Sequence, residues 1–301
     1  PIWAIRWLVA LWGDAVVPAR ISDVVAGRTT YLQRVTAGMT GGRRSDGALV
    51  GHVDVPSADE LLPTIGAGSI EVFTGQRRAA VIEQAAALAS GVGGTIDFEG
   101  ESALVDEITN LVEDPHAVLG RFDERYLELP AQILTTVMRK HQRYLPLYDA
   151  SGALMPAFVT VANGLCDDDL VARGNEAVVR ARFEDALFFW NADLKTERVD
   201  SFVPGLENLM FENKLGSVGK RARRIADVAA ALAGRVEVSD AERTTLTRAG
   251  ELTKFDLATQ LVVEMSSLAG FVAGEYAARR GETPEVAQAL VETEKPRTAS
   301  D

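Results

Sequence analysis

Few residues of this chain could carry chemistry on their own. It contains three histidines, His52, His116 and His141, and one cysteine, Cys166. No two histidines stand at a short metal-ligand spacing, and one cysteine can neither close an internal disulfide nor build a zinc site alone. The glycine-rich stretch at Gly41 lacks the lysine and the following helix of a phosphate-binding loop. The sequence therefore predicts no catalytic residue and no metal ligand.

A dense group of polar and basic residues is a candidate patch for binding a polyanion. It lies where a predicted helix passes into a predicted strand and comprises Arg139, Lys140, His141, Gln142, Arg143 and Tyr144. Such cations can hold phosphates, and an aromatic ring can stack on a base. The same cations also complement the dipole at the C-terminus of a helix. From composition alone both interpretations stay open.

Two further groups are candidates for phosphate contacts. Asn175, Arg180 and Arg182 open a predicted helix whose acidic residues balance the charge, which favours ion pairs within the helix. The second group lies in the segment 206–235, whose net charge is +3 against −15 for the rest of the chain. Its members are Lys214, Lys220, Arg221, Arg223 and Arg224. They could form a row of phosphate contacts or an ordinary solvated face.

Composition limits the class of protein. With 301 residues, 47% apolar and 25% charged, the chain is typical of a globular protein of about two domains. Its net charge of −12 excludes binding to nucleic acid by general basicity, and we expect no DNA partner. The absence of a disulfide framework, a leader and a long apolar run predicts a cytoplasmic protein with no membrane partner. Because the sequence opens on Pro1, we expect a piece of a longer polypeptide.

Hydrophobic periodicity predicts an α+β first two thirds and an all-helical last third. Clustered aliphatic neighbours predict that Trp3, Trp7 and Trp12 lie in a core. The helix at 176–191 should bury Val179, Phe183, Leu187 and Trp190, and no strand is expected downstream of Leu206. The predicted elements are a buried strand or short helix at 3–11, an extended segment at 16–25, a loop or hairpin tip at 38–51, helices at 74–91, 102–113 and 131–140, a hairpin of 144–148 with 154–161, and helices at 176–191, 219–233, 241–252, 256–276 and 284–294.

Several blocks of the sequence resemble a known family. The blocks are 139–146, 152–159, 161–163, 174–182, 185–189, 211–217 and 247–257. In order and spacing they are similar to the β subunit of bacterial-type glycyl-tRNA synthetase across essentially all of the chain. The sequence departs from the family pattern at Leu32-Gln33, at Ala181 and near Thr298.

The resemblance implies a fold and a function. It implies a B3/B4-like α+β module at 1–205 followed by an HD-like helical domain at 206–301, truncated at both ends. It also implies a hetero-oligomer in which a separate α subunit makes glycyl-adenylate, with ATP and magnesium bound there and no cofactor on this chain. The β subunit then binds tRNA(Gly), and we expect the three groups of residues above to contact its acceptor side and help present its 3′ end.

Two alternatives remain at this point. The chain could be a structural module that docks the α subunit without touching RNA, since cations can also serve an acidic protein surface. The HD-like region could instead be a metal-dependent phosphohydrolase. The second alternative is weak because Asp256 is preceded by Phe255 and no histidine follows residue 141.

Overall fold

A computed structural model describes residues 5–32 and 51–296. The chain divides into two compact units, each described by itself. Unit 1 comprises residues up to Leu127 together with Met138–Val179, and unit 2 comprises Glu128–Val137 together with the residues from Arg180 onward. The loop predicted at 38–51 lies outside the described residues except for Gly51. The assignment of 1–205 and 206–301 to two domains stays a prediction.

Short antiparallel hairpins form the beginning of unit 1. Strands β1 to β6 are Leu11–Trp12, Ala15–Val16, Arg20–Ile21, Val24–Val25, Thr29–Tyr31 and His52–Asp54. Trp12 is 83% exposed and Trp7 is 40% exposed, with its ring 4.6 Å from that of Tyr31. The prediction that these tryptophans lie in a core was therefore wrong for Trp7 and Trp12, because ribbons of such short strands provide no second layer to cover an indole ring. Trp3 lies outside the described residues.

A three-stranded antiparallel sheet in the order β7-β9-β8 carries the core of unit 1. The strands are β7 (Pro115–Arg121), β8 (Leu145–Tyr148) and β9 (Leu154–Asn163). Helices α2 (Thr74–Gly91) and α3 (Ser102–Leu111) contribute side chains at helical spacing to the same core. Its buried members include Val81, Ala85, Ala89, Val105, Ile108, Leu145, Leu147 and Val159.

The predicted hairpin is confirmed, and so is helix α2. The carboxylate of Asp149 organises the hairpin turn by accepting hydrogen bonds from the backbone N–H groups of Ser151 and Ala153. Strand β7 was missed because Pro115 was interpreted as a helix stop, whereas a proline is also tolerated at the first residue of an edge strand. Helix α3 ends before the predicted Glu113, since Val112 is already extended.

Helix α5 (Asp168–Asp193) runs from unit 1 into unit 2 and begins before the predicted Glu176. Asp167 caps its first turn by accepting a hydrogen bond from the backbone N–H of Leu170 at 3.0 Å. As predicted, Val179, Phe183 and Trp190 are buried, while Leu187 is half-buried.

The other helices include two short ones, α1 (Leu61–Ala67) in unit 1 and α4 (Ala131–Thr136) in unit 2, the latter continuing into a π-helical turn at Val137–Gln142. None of the helices in the described ranges is both long and apolar enough to cross a lipid bilayer.

Unit 2 is mainly helical, with one small hairpin where no strand was expected. Its remaining elements are β10 (Met210–Glu212), β11 (Gly216–Ser217), α6 (Val218–Ala233), α7 (Asp240–Leu252), α8 (Gln260–Glu264), α9 (Phe271–Arg279) and α10 (Pro284–Glu292). The helix predicted at 256–276 is broken into short segments. The break includes Gly270, whose φ of +80° is accessible to glycine and whose N–H donates to the buried carboxylate of Asp256 at 2.7 Å.

The carboxylate of Asp193 joins three elements of unit 2. It is 2% exposed and accepts hydrogen bonds from the backbone N–H groups of Gln260 and Leu261 and from the hydroxyl of Tyr276. The last residue of α5 therefore caps α8 and anchors α9. Burial of the Tyr276 side chain is the main cause that raises the pKa of Tyr276 above its ordinary range, and the negative charge of Asp193 is the second cause.

Removing this carboxylate should destabilise unit 2. We expect Asp193→Ala to lower the free energy of unfolding by about 2–4 kcal/mol, because three buried donors lose their acceptor. Urea unfolding followed by circular dichroism measures the change. Asp185→Ala, at an exposed position on the same helix, is the matched control and should change stability by less than about 0.5 kcal/mol. Equal effects of the two substitutions would contradict the assigned role.

A second polar cluster in unit 2 centres on Arg248. Its guanidinium donates to both carboxylate oxygens of Asp200, at 2.8 and 2.9 Å, and also to Glu251 and Glu282. The hydrogen bonds from Arg248 to Asp200 are the largest cause that lowers the pKa of Asp200, and the positive charge of Arg248 contributes less. Together they hold this pKa at about 2, below its ordinary value of 3.8.

The lowered pKa gives a pH dependence with a definite sign. A carboxyl whose pKa is lower in the folded state stabilises the fold above its unfolded pKa and loses that contribution as pH falls through the folded value. The thermal midpoint should therefore decrease as pH falls from 3.8 toward about 2, and by a smaller amount in Asp200→Asn. Scanning calorimetry across this range checks the difference. Parallel curves for the two proteins would show that Asp200 is not the titrating group.

Candidate nucleic-acid interface

The junction cluster, defined as Arg139, Lys140, His141, Gln142, Arg143 and Tyr144, lies where the π-helical turn passes into β8. The helix ends because Arg143 adopts a left-handed backbone with φ of +58°. The N–H of Tyr144 then donates to the carbonyl of Met138 at 3.0 Å, in the manner of helix ends closed by a left-handed residue. This geometry turns consecutive side chains of the cluster in different directions.

Arg139 is held by a buried acid. Its guanidinium pairs with the carboxylate of Glu101, a residue only 4% exposed, and donates to the hydroxyl of Tyr148 at 3.0 Å. A carboxylate at that depth requires a cation or several donors, because burial without a partner is costly. The ion pair with Glu101 therefore holds the Arg139 guanidinium against the interior of unit 1.

The other members of the cluster differ in what they contact. Arg143 is exposed and pairs with the exposed Glu107 at 2.5 Å. Lys140 and His141 are also exposed, and neither takes part in an ion pair within 5–32 and 51–296. Gln142 is half-buried. Of the six positions, Lys140 and His141 thus offer side chains that no carboxylate in the described residues neutralises.

Tyr144 is the buried member of the junction cluster. It is 3% exposed, its ring stacks on that of Phe158 at 4.5 Å, and its hydroxyl donates to the side-chain oxygen of Asn175 at 2.5 Å. Burial raises the pKa of Tyr144 to about 12. The structure therefore brings Asn175 to the junction cluster, and it places the Tyr144 ring where a base from solvent cannot stack on it.

Arg180 and Arg182 lie on the part of α5 that belongs to unit 2. Both are exposed, and the described residues form no ion pair with either. Residues two apart on a helix are about 200° apart around its axis, so these two side chains leave on nearly opposite sides. A single backbone strand of RNA running along one face of α5 would meet only one of them.

The second basic group, here called the α6 cluster, comprises Lys214, Lys220, Arg221, Arg223 and Arg224. Its four helical members lie within the first two turns of α6, and Lys214 lies in the turn between β10 and β11. Arg221 covers the ring of Phe211 at 4.5 Å, and Arg224 donates to the carbonyl of Leu215 at 3.1 Å. These contacts account for two of the five cations.

The N-terminus of α6 already holds an acidic side chain. Glu207 accepts hydrogen bonds from the hydroxyl of Ser217 at 2.8 Å and from Arg223 at 2.5 Å. Arg223, followed by Ser217, lowers the pKa of Glu207 below its ordinary range. This carboxylate stands where a phosphate would gain from the helix dipole. In the described part of the chain, Lys214 and Lys220 are then the members whose side chains have no ion pair, ring contact or hydrogen bond.

A groove of about 770 Å³ lies in unit 2 between α6, α7 and the 3-10 segment Val199–Asn208. Small apolar residues such as Ala226 and Ala230 form much of its wall, and the charged residues that line it include Arg243 and Glu251. Because the lining carries both signs of charge, the groove has no electrostatic preference for a polyanion.

The arrangement does not fit a metal phosphohydrolase in unit 2. Asp256 is 1% exposed and its carboxylate is bonded to the N–H of Gly270; burial, as the largest cause, raises its pKa. Within the described ranges, the side chains that could share one ion come together in unit 1 at His116, Cys166 and Asp168. Sequence reasoning missed this group because His116 lies about 50 residues before Cys166 and Asp168 in the chain.

The chain can be compared with known proteins on this basis. The family model described as glycyl-tRNA synthetase beta subunit matches residues 2–301. The chain therefore belongs to the glycyl-tRNA synthetase beta subunit family, as the resemblance predicts.

Similar proteins from other organisms agree with this assignment. The chain is 37% identical over 298 residues to the glycine–tRNA ligase beta subunit of Desulforamulus reducens, covering 99% of this chain and 41% of that protein. It is 38% identical over 302 residues to the beta subunit of Synechocystis, covering 99% of this chain and 40% of the relative. A plant relative, the chloroplastic/mitochondrial glycine–tRNA ligase 2 of Arabidopsis thaliana, is 35% identical over 297 residues, covering 99% of this chain and 26% of that protein. The chain thus spans about two fifths of the length of each of these bacterial relatives.

The two ion-paired arginines of the junction cluster should differ in their effect on stability. We expect Arg139→Leu to lower the free energy of unfolding by about 2–4 kcal/mol, because it leaves the Glu101 carboxylate buried without its cation. Arg143→Leu is the matched control and should cost less than about 1 kcal/mol, since the Glu107 carboxylate stays in water. Urea unfolding of the two variants measures the difference, and similar losses would refute the distinction.

Proposed function

We propose that this chain is the tRNA-binding part of a glycine–tRNA ligase beta subunit. In this proposal it binds tRNA(Gly) on the acceptor side and supports the ATP-dependent attachment of glycine by a separate α subunit. Glycyl-adenylate forms on that α subunit, which binds ATP and magnesium, and the whole enzyme is a hetero-oligomer in the cytoplasm. The observation that carries the proposal is the family match over residues 2–301.

The geometry supports a limited set of RNA contacts. Lys140 and His141 of the junction cluster are our first choices, because they are exposed and unpaired within the described residues. Arg143 can exchange its exposed partner Glu107 for a phosphate, since a surface ion pair stabilises little. Arg180, Arg182, Lys214 and Lys220 are further candidates. Arg139 positions the cluster through Glu101, and Tyr144 through Asn175.

The B3/B4-like and HD-like assignments belong to the same proposal. The sheet of unit 1 with α2 and α3 is a compact α+β body, and unit 2 is mainly helical. Both observations are compatible with the two modules that the resemblance implies.

A second candidate function is a module that docks the α subunit and never contacts RNA. The observation that favours it is the pairing of Arg139, Arg143 and Arg223 with acids of the same chain, which reduces the positive field available to a polyanion. The two candidates differ in whether the chain binds tRNA when no α subunit is present.

Salt-dependent binding distinguishes the two functions. We expect the chain to bind glycine tRNA in a filter assay, with an affinity that falls linearly as salt rises on logarithmic axes. The double variant Lys140→Gln, His141→Asn should weaken binding about fivefold for each lost contact of about 1 kcal/mol, and should reduce the salt slope by about one per phosphate contact. Arg20→Gln, at an exposed cation in a hairpin of unit 1, is the matched control.

Each outcome has a defined meaning. Binding that is lost in the double variant and kept in the control supports the RNA function and its assignment to the junction cluster. Binding that is unaffected by the double variant overturns that assignment. If the parent chain and both variants bind tRNA only after α subunit is added, the result supports the docking function instead.

A further inference from the structure

Three potential metal ligands come together in unit 1, apart from the junction cluster. His116 is the second residue of β7, Cys166 lies in the loop after β9, and Asp168 is the first residue of α5. The Nε2 atom of His116 lies 2.7 Å from the Oδ1 atom of Asp168, and the Sγ atom of Cys166 lies 3.8 Å from the same oxygen. One ligand atom from each residue falls within 4.8 Å of the other two.

The backbone around these residues is held in place by the sheet. In the register of β7 and β9, His116 lies opposite Ala162, so the chain that follows β9 emerges beside the imidazole. The side-chain oxygen of Asn163 accepts hydrogen bonds from the N–H groups of Glu113 and Asp114, which ties the end of β9 to the start of β7. The pairing of β7 with β9 thus places the backbone of His116 close to the segment that carries Cys166 and Asp168.

Two ordinary explanations do not account for the whole arrangement. A catalytic relay would place the histidine between the thiol and the carboxylate, whereas here Asp168 contacts both His116 and Cys166. An isolated histidine–aspartate pair would explain the short contact between those two residues and not the thiol at the same oxygen. A disulfide is excluded within the chain because Cys166 is its single cysteine.

The chemistry of the donor set suits a borderline-soft divalent cation. Zn²⁺ binds thiolate sulfur at about 2.3 Å and imidazole nitrogen or carboxylate oxygen at about 2.0–2.2 Å, usually in tetrahedral geometry. In such a tetrahedron the ligand atoms stand about 3.3–3.7 Å apart, so the three atoms need to move by only about 1 Å from the separations seen here. Three protein ligands leave the fourth position to water.

We propose that His116, Cys166 and Asp168 bind one Zn²⁺ ion. The bound ion joins β7, the loop after β9 and the first turn of α5 by a cross-link that no disulfide could supply in this chain. This proposal is independent of the function proposed above. The side chains of His116 and Asp168 are 27% and 61% exposed, so an ion can enter from solvent.

Cobalt is the probe for this site, because tetrahedral Co²⁺ absorbs visible light and a cobalt–thiolate bond adds a charge-transfer band in the near ultraviolet. The metal-free chain titrated with Co²⁺ should develop both signals and saturate at one equivalent. Zn²⁺ should then displace Co²⁺ and abolish the signals. Since the chain has one cysteine, any thiolate band comes from Cys166.

Variants separate the cluster from a thiol that binds metal alone. Cys166→Ser should abolish the charge-transfer band, and His116→Asn and Asp168→Asn should each weaken cobalt binding at least tenfold. His141→Asn, at an exposed histidine of the same unit, is the matched control and should bind as the parent chain does. Full-strength binding in both His116→Asn and Asp168→Asn would overturn the proposal, as would the absence of the band in the parent chain.

A measurement on the unaltered chain removes the dependence on variants that fold poorly. Alkylation of Cys166 by iodoacetamide should slow at least tenfold when stoichiometric Zn²⁺ is present, and a chelator should restore the rate. Magnesium at the same concentration should have no effect, because it prefers oxygen ligands. An alkylation rate that Zn²⁺ leaves unchanged would count against the site.

Discussion

The requirement that buried carboxylates find partners is the constraint on which both units depend. Glu101 in unit 1 and Asp193 and Asp256 in unit 2 are each at most 4% exposed. Because desolvating an unpaired carboxylate costs several kcal/mol, each one dictates where nearby donors must lie. Glu101 draws Arg139 inward, Asp193 caps α8, and Asp256 holds the backbone at Gly270. Helix ends and turns that have no strong local signal follow from these three groups.

The same constraint shapes the surface available to a polyanion. The chain has a net charge of −12, and several of its cations are committed to acids of their own unit, as Arg139 is to Glu101 and Arg223 is to Glu207. In the proposed function, affinity for RNA rests on a few exposed side chains, of which Lys140 is the first candidate. A chain with few unpaired cations is expected to bind any polyanion weakly and with a modest salt slope.

The strand pairing of unit 1 serves two separate purposes in this interpretation. Strand β8 begins directly after the junction cluster, whose Tyr144 is hydrogen-bonded to Asn175. The pairing of β7 with β9 brings His116 to Cys166 and Asp168. Among the described residues, no hydrogen bond or ion pair joins a member of one group to a member of the other, so a failure of one assignment leaves the other intact.

The sequence by itself determined the family, helix α2 and the hairpin at Asp149, because these depend on long motif blocks, helical periodicity and local turn chemistry. It also located the junction cluster. Tertiary structure alone decided which cations stay unpaired, that Tyr144 is buried and that Trp12 is exposed. It also decided that His116 and Cys166, about 50 residues apart in the chain, both contact Asp168. Periodicity describes one element at a time, whereas ion pairs and ligand sets join side chains from different elements, and their meeting is settled only when those elements pack.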